Sequence, residues 1–204
     1  MTSLEQYFKP YRDKIIGINH EFESPDGIKR IIYADWTASG RMYESIEIKM
    51  MNDIYPFVAN THTETNFTGS TMTLAYKKAR QIIKNHVNAY QSDVLISSNS
   101  GMTGVVNKLQ RILGFKIHEK FRKKINLSSM QRPVVFCTHM EHHSNQTSWL
   151  ETIAEVVIIP FCEKGLVDLD GFKVQLDQYK NRSIKIAAVT SCSNVTGLVT
   201  PYHT

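Results

Sequence analysis

Apolar positions follow two rhythms along the 204 residues. In the first stretch they recur at helical spacing. Leu4, Phe8, Tyr11 and Ile15 predict a helix over residues 4–16. Ile46, Met50, Met51 and Ile54 predict a second over 43–55, with Pro56 just past its end. Met72, Leu74, Ala75, Ala79, Ile82, Ile83 and His86 predict a third. Between the first two helices, Ile31-Ile-Tyr-Ala-Asp35 predicts a short strand that runs into Trp36-Thr-Ala-Ser-Gly-Arg41. Small residues there let the backbone approach a ligand or another segment closely. Residues 60–69 hold too many Thr and Asn for a helix interior and predict an exposed loop or a loop lining a site.

From residue 93 onward the rhythm alternates. Short apolar runs at 93–98, 133–138, 155–160 and 184–190 predict strands. Helical spacing separates them at 105–113, closed by Gly114, at 147–154 and at 169–179. Strand alternating with helix predicts an α/β fold with a mainly parallel sheet and flanking helices. The pattern contains no internal repeat, no low-complexity tract and no visible domain boundary.

Composition narrows the class. A hydrophobic share of 42% and a charged share of 21% suit a globular chain rather than a disordered one. The net charge is +5, and much of the excess lies in Lys116, Lys120, Arg122, Lys123, Lys124 and Arg132. This stretch reads as a solvated connection. Only Phe121 is there to stack on bases, so no nucleic-acid partner is expected. Cys137, Cys162 and Cys192 lie far apart, in or beside apolar runs, and are expected to be buried, reduced structural thiols. No basic-then-apolar leader opens the sequence, and no apolar run reaches the roughly 20 residues of a membrane span. A cytoplasmic protein without membrane contact is the expectation.

Chemistry concentrates where strands end. In open α/β sheets, ligands bind beyond the carboxyl ends of the strands. Three polar segments directly follow predicted strands: Asn99–Thr103, His139–Asn145 and Ser191–Gly197. Ser98-Asn-Ser-Gly-Met-Thr-Gly104 lacks both the P-loop lysine and the G-x-G-x-x-G pattern. It could be an anion site, with N–H groups at a helix start and the Thr103 hydroxyl as donors, or an ordinary capped turn. His139, Glu141 and His143 alternate and would share a face if extended, but H-x-E-H-H is not a zinc-protease spacing, so no metal is assigned. One flat imidazole stacked on a planar cofactor is the preferred use of this cluster. Asn194 offers an amide to a ligand oxygen or simply forms a turn. Asn60, His62 and Arg41 are weaker candidates for a substrate-facing role.

Together these segments resemble a known family. Gly101-Met-Thr-Gly-Val-Val-Asn107 is similar to the G-x-T-E-x-x-N turn of class V aminotransferases. Met140-Glu-His-His-Ser-Asn145 with Trp149 resembles the E-H-H-x-N-x-x-P-W segment of their cysteine desulfurase branch. Ser193-Asn-Val-Thr-Gly197 with Pro201 resembles its S-N-V-x-G-x-x-x-P segment, and Ile32–Gly40 its N-terminal strand and small-residue loop. The resemblance implies a fold type I enzyme that uses pyridoxal 5′-phosphate (PLP), acts on an amino acid and is usually a homodimer. It implies that Met102 and Thr103 hold the phosphate. It also implies that His142 stacks on the pyridine ring and shuttles protons, and that Asn194 bonds the ring's phenolic oxygen.

Two local departures stand out: Gly104 replaces the usual Glu, and Thr147-Ser148 replace the residues before Trp149. A larger one concerns length. The family's pyridine-facing aspartate and Schiff-base lysine follow the S-N-V segment, so the 204 residues are expected to be the N-terminal part of a longer enzyme, inactive alone. Residues 1–30 are expected to form an N-terminal helical segment. Residues 31–204 are expected to form the start of an incomplete PLP-binding large domain. Desulfurase, lyase, epimerase and transaminase chemistry all fit. The competing readings are a non-catalytic truncated homologue that binds a partner or phosphorylated ligand and, behind it, a metal-dependent hydrolase.

Overall fold

The chain is described here by a computed structural model covering residues 3–36, 39–122 and 124–203. Thr37 and Ala38 of the small-residue loop, and Lys123 of the basic stretch, lie outside the described residues. The chain divides into two compact units, Met1–Leu95 and Ile96–Thr204.

In the first unit, helix α1 (Ser3–Arg12) precedes a hairpin of β1 (Glu21–Ser24) and β2 (Gly27–Arg30). The sequence pattern does not predict this hairpin, and an irregular segment occupies 31–35 in place of the expected strand. A strand needs a ladder as well as apolar residues, and Ser24-Pro-Asp-Gly27 supplies the turn that closes one. Gly27 adopts φ +101, a conformation that L side chains rarely take, and its carbonyl accepts the Ser24 hydroxyl at 2.7 Å. Helix α2 (Glu44–Lys49) continues as a π-helical turn, Met50–Ile54, and a 3-10 turn, Tyr55–Phe57. Helix α3 (Phe67–His86) starts earlier than its apolar spacing suggests. The Asn66 side chain caps it by accepting from Gly69 N at 2.7 Å, so the end of the polar stretch is helical.

The second unit is built on β3 (Val134–Cys137), flanked in parallel by β4 (Glu155–Ile158) and β5 (Lys185–Ala188). Val134 aligns with Glu155 on one side and Lys185 on the other. All four β3 residues are buried because both sheet faces are covered. Val135 and Cys137 face Val106, Phe115 and Trp149. Those residues come from α4 (Gly101–Ile112), the segment after it, and α6 (His143–Leu150). Val134 and Phe136 face Ile159 and, around it, Phe172 and Tyr179, which come from α7 (Leu169–Gln178) and its C-terminal cap. The result is the helix–sheet–helix layering expected of an α/β fold.

The basic stretch holds a short helix, α5 (Glu119–Arg122), and a 3-10 turn, Ser129–Gln131. Residues 93–98, expected as a strand, join no sheet among the described residues, and Val94 is 80% exposed. The cysteines also differ from expectation. Cys137 is buried, whereas Cys162 and Cys192 are exposed free thiols in loops past the strand ends.

Candidate active site

The site is assembled at one end of the second unit. Helix α6 runs back from the end of β3, so its N-terminus lies at the carboxyl end of the sheet. Helix α4 runs parallel to α6. Gln110 of α4 donates to Ser148 at 2.9 Å, and Ile153 N beyond α6 donates to Phe115 O beyond α4 at 3.0 Å. The α4 N-terminus therefore lies at that same end, as does the Ser191–Gly197 loop after β5. The three polar segments singled out in the sequence share one end of the sheet.

At the α4 start, Ser100 (φ +67) and Gly101 (φ +59) both take the left-handed conformation, which curls the chain back onto the helix. The N–H groups of Gly101, Met102 and Thr103 have no acceptor within the helix. The Thr103 hydroxyl makes no hydrogen bond among the described residues. Met102 is 70% exposed, so the turn is open. The helix begins at Gly101, inside what was expected as a turn. A Cβ on Gly104 would lie 2.0 Å from the Asn99 carbonyl oxygen. The family's glutamate therefore cannot occupy this position unless the turn reopens.

Helix α6 begins at His143, four residues earlier than expected, because His142 caps it. Its Nδ1 accepts from Ser144 N at 3.2 Å and lies 2.7 Å from the Ser144 hydroxyl. That leaves the ring exposed. His139 is bound into the loops instead: its Nε2 is 3.0 Å from Gly165 O and its ring stacks on Phe161 at 4.3 Å. His143 lies in the first turn of α6, and no group of three or more metal-ligating side chains converges among the described residues. Asn194 is exposed in a loop held by Ser193, whose hydroxyl accepts from Val195 N at 3.3 Å and Thr196 N at 3.2 Å. The Asn194 amide itself makes no hydrogen bond among the described residues.

Sequence reasoning passed over the residue that holds these parts together. Glu141 was weighed only as a metal ligand. In the structure its Oε1 accepts from Thr138 Oγ1 at 2.6 Å and Thr190 N at 2.7 Å. Its Oε2 accepts from Asn145 Nδ2 at 2.8 Å. The signal available was the spacing: a hydroxyl three residues before a carboxylate and an amide four after it. Burial, reinforced by the Glu141 charge, pushes the Cys137 thiol up to about 12, so it stays protonated and unreactive.

Asn60, His62 and Arg41 lie in the first unit. Asn60 borders a polar cavity of about 510 Å³ with Thr63 and Asn66. His62 is held at φ +75, and its N–H donates to the buried Thr73 hydroxyl at 3.1 Å. Arg41 lies over the Tyr33 ring and donates to Ile16 O at 3.1 Å.

The layering and site position define the N-terminal part of a fold type I PLP-transferase large domain. The apo cysteine desulfurase of Thermococcus onnurineus NA1 superposes with a TM-score of 0.65 at 18% identity, over 95% of this chain and 42% of that one. The cysteine desulfurase CsdA of Escherichia coli superposes at 0.57 and 22% identity, over 83% and 39%. The Aminotransferase class-V family model matches residues 32–204, and the chain belongs to that family. A probable cysteine desulfurase of Staphylococcus epidermidis is 28% identical over 174 residues. The match takes in 83% of this chain and 38% of the length of that relative.

Proposed function

We propose that residues 31–204 are the N-terminal part of the large domain of a PLP-dependent enzyme acting on an amino acid, within a homodimer when the enzyme is whole. One observation carries this reading: the α4 N-terminus, His142 and the Asn194 loop share the carboxyl end of the β3–β5 pair. The residues suit the cofactor. Unpaired N–H groups and a free hydroxyl suit a phosphate, an exposed flat ring suits stacking, and an unbonded amide suits a phenolic oxygen. When bound, the cofactor supplies an electron sink for charge developing at the substrate α-carbon.

The chain's own residues bind and orient. The Met102 N–H and the Thr103 hydroxyl would donate to the phosphate, and the α4 dipole would favour its charge. Asn194 would donate its amide to the ring oxygen. The exposed His142 imidazole would stack on the cofactor ring. With Nδ1 engaged at the helix cap, its Nε2 is the atom that takes or gives a proton. On this reading the chain alone turns over no amino acid, because lysine in the Schiff-base role is not among the matched segments.

Pyridoxamine 5′-phosphate tests the reading, because it cannot react with surface lysines. Calorimetry is expected to show saturable 1:1 binding, weakened by about 10-fold or more in Thr103→Ala, the cost of a hydrogen bond to a charged group. Equal affinity in wild type and Thr103→Ala, or no binding, overturns the reading.

A further inference from the structure

Three donors converge on Glu141 from three elements. Thr138 follows β3, Thr190 follows β5, and Asn145 lies in α6. Their directions are fixed. The Trp149 indole can only donate, and it does so to Asn145 Oδ1 at 2.9 Å. Asn145 must therefore present its amide NH₂ to residue 141. The Thr190 backbone N–H can also only donate. Both Glu141 oxygens must accept, which a carboxylate does and a carboxamide cannot. The next residue is His142, whose Nδ1 caps α6 through Ser144. In the neutral ring that arrangement leaves Nδ1 bare and places the proton on Nε2, the ring edge free to meet a ligand.

We propose that Glu141 is the positioning residue of the site. Its carboxylate ties the ends of β3 and β5 to the first turn of α6, and so fixes the tautomer and direction of the His142 imidazole. The role matters to function only if His142 faces the cofactor, and so rests on that reading. The carboxylate works by accepting at two oxygens. It can therefore be moved one position along the chain of hydrogen bonds without breaking it. In Glu141→Gln the introduced carboxamide turns its NH₂ group against the NH₂ group of Asn145. In Asn145→Asp two carboxylates face each other instead. In the double variant the introduced carboxamide oxygen accepts from Thr138 and Thr190. Its NH₂ donates to one oxygen of the introduced carboxylate, whose other oxygen accepts from Trp149.

The test uses the full chain without cofactor and reads long-range ¹⁵N correlations of the His142 ring. Wild type is expected to show a single Nε2–H tautomer. Each single variant is expected to lose it and to melt about 2–8 °C lower, as follows from an unsatisfied, partly buried polar contact in a chain of this size. The double variant is expected to recover the tautomer and most of the melting temperature. A wild-type His142 pattern in Glu141→Gln overturns the role, as does a double variant no better than Glu141→Gln. If Glu141→Gln does not fold, the double variant alone decides. A His142 ring that keeps its tautomer in a protein that binds no pyridoxamine phosphate counts against the cofactor reading and not against Glu141.

Discussion

The two units use apolar residues in opposite ways. In Met1–Leu95 the buried residues among those described are Gly69 and Thr73; every apolar side chain keeps appreciable solvent contact. Phe8, Tyr11, Tyr33 and Trp36 instead line an open cavity of about 830 Å³. In Ile96–Thr204 four consecutive residues of β3 are buried, and Trp149 is 2% exposed. Apolar content is not what separates the units. The second has a central strand covered on both faces, and the first has a two-stranded hairpin with neither face covered. The candidate site stands on the unit that has the buried core, because the loops at its strand ends are held by that core.

The largest expected effect tests this contrast directly. Phe136→Ala empties the face of β3 that packs on Phe172 and Tyr179, whose rings lie 5.4 and 5.6 Å away. It is expected to cost about 3–5 kcal/mol. Phe8→Ala in α1 removes an exposed ring and is expected to cost under about 1 kcal/mol. Urea melts followed by far-UV circular dichroism read both substitutions, and in a Trp36→Phe background the remaining indole, Trp149, reports the second unit separately. Equal costs for the two substitutions would break the comparison.

Ion pairs sharpen it at smaller scale. Arg182 is buried, pairs with Glu155 and donates to Arg132 O at 2.8 Å. Tyr179 donates to the same carboxylate at 2.8 Å, and this hydrogen bond, ahead of burial, pushes the phenol's pKa up. Removing one partner of a fully buried pair costs several kcal/mol, but Glu155 keeps 37% exposure and water screens it. Arg182→Ala is therefore expected to cost about 1–3 kcal/mol. In the first unit Lys77 and Glu64 sit 3.6 Å apart with both side chains well exposed, and Lys77→Ala is expected to change stability by under about 0.5 kcal/mol. Urea midpoints at low and high salt check both substitutions. A salt-sensitive Arg182 effect no larger than that of Lys77 would argue that the second unit is wetter than its burial implies.

The same contrast explains what could be read from the sequence. Pro133-Val-Val-Phe-Cys137 is legible as a buried strand because a parallel strand covered on both faces is apolar at every position. The alternation that follows gives the α/β class for the same reason. Ile31–Asp35 and 93–98 carry a similar apolar signal yet form no ladder, since pairing depends on partners that composition does not encode. The β1–β2 hairpin was hidden in the opposite way: its strands are polar, and only the turn at Pro25-Asp26-Gly27 marks it. At the site, residue types and order pointed to Met102, Thr103, His142 and Asn194, and the fold places them at one end of the sheet. Glu141 was not legible as a hub, because the donor that joins it to β5, Thr190, lies 49 residues further on and is brought there by tertiary packing. The early start of α6 escaped notice because a histidine, rather than Ser, Thr, Asp or Asn, caps it.

The last expected effect concerns Cys137, at the end of the buried strand. Its folded-state value of about 12 stands above the ordinary 9.0, chiefly through burial and then through the Glu141 charge. The unfolded chain thus releases a proton near pH 9 that the folded protein retains until about 12. The stabilisation is fully present below pH 9, falls by at most about 1.4 kcal/mol per unit above it, and is lost as pH rises through the folded value. At pH 10 the expected loss is therefore roughly 1 kcal/mol. Other groups also titrate in this range, so the informative quantity is a difference: Cys137→Ala should flatten the alkaline decline relative to wild type. Parallel declines for the two proteins between pH 9 and 10.5 would mean that water or local opening reaches Cys137. The centre of β3 would then not be the dry core that sets the second unit apart from the first.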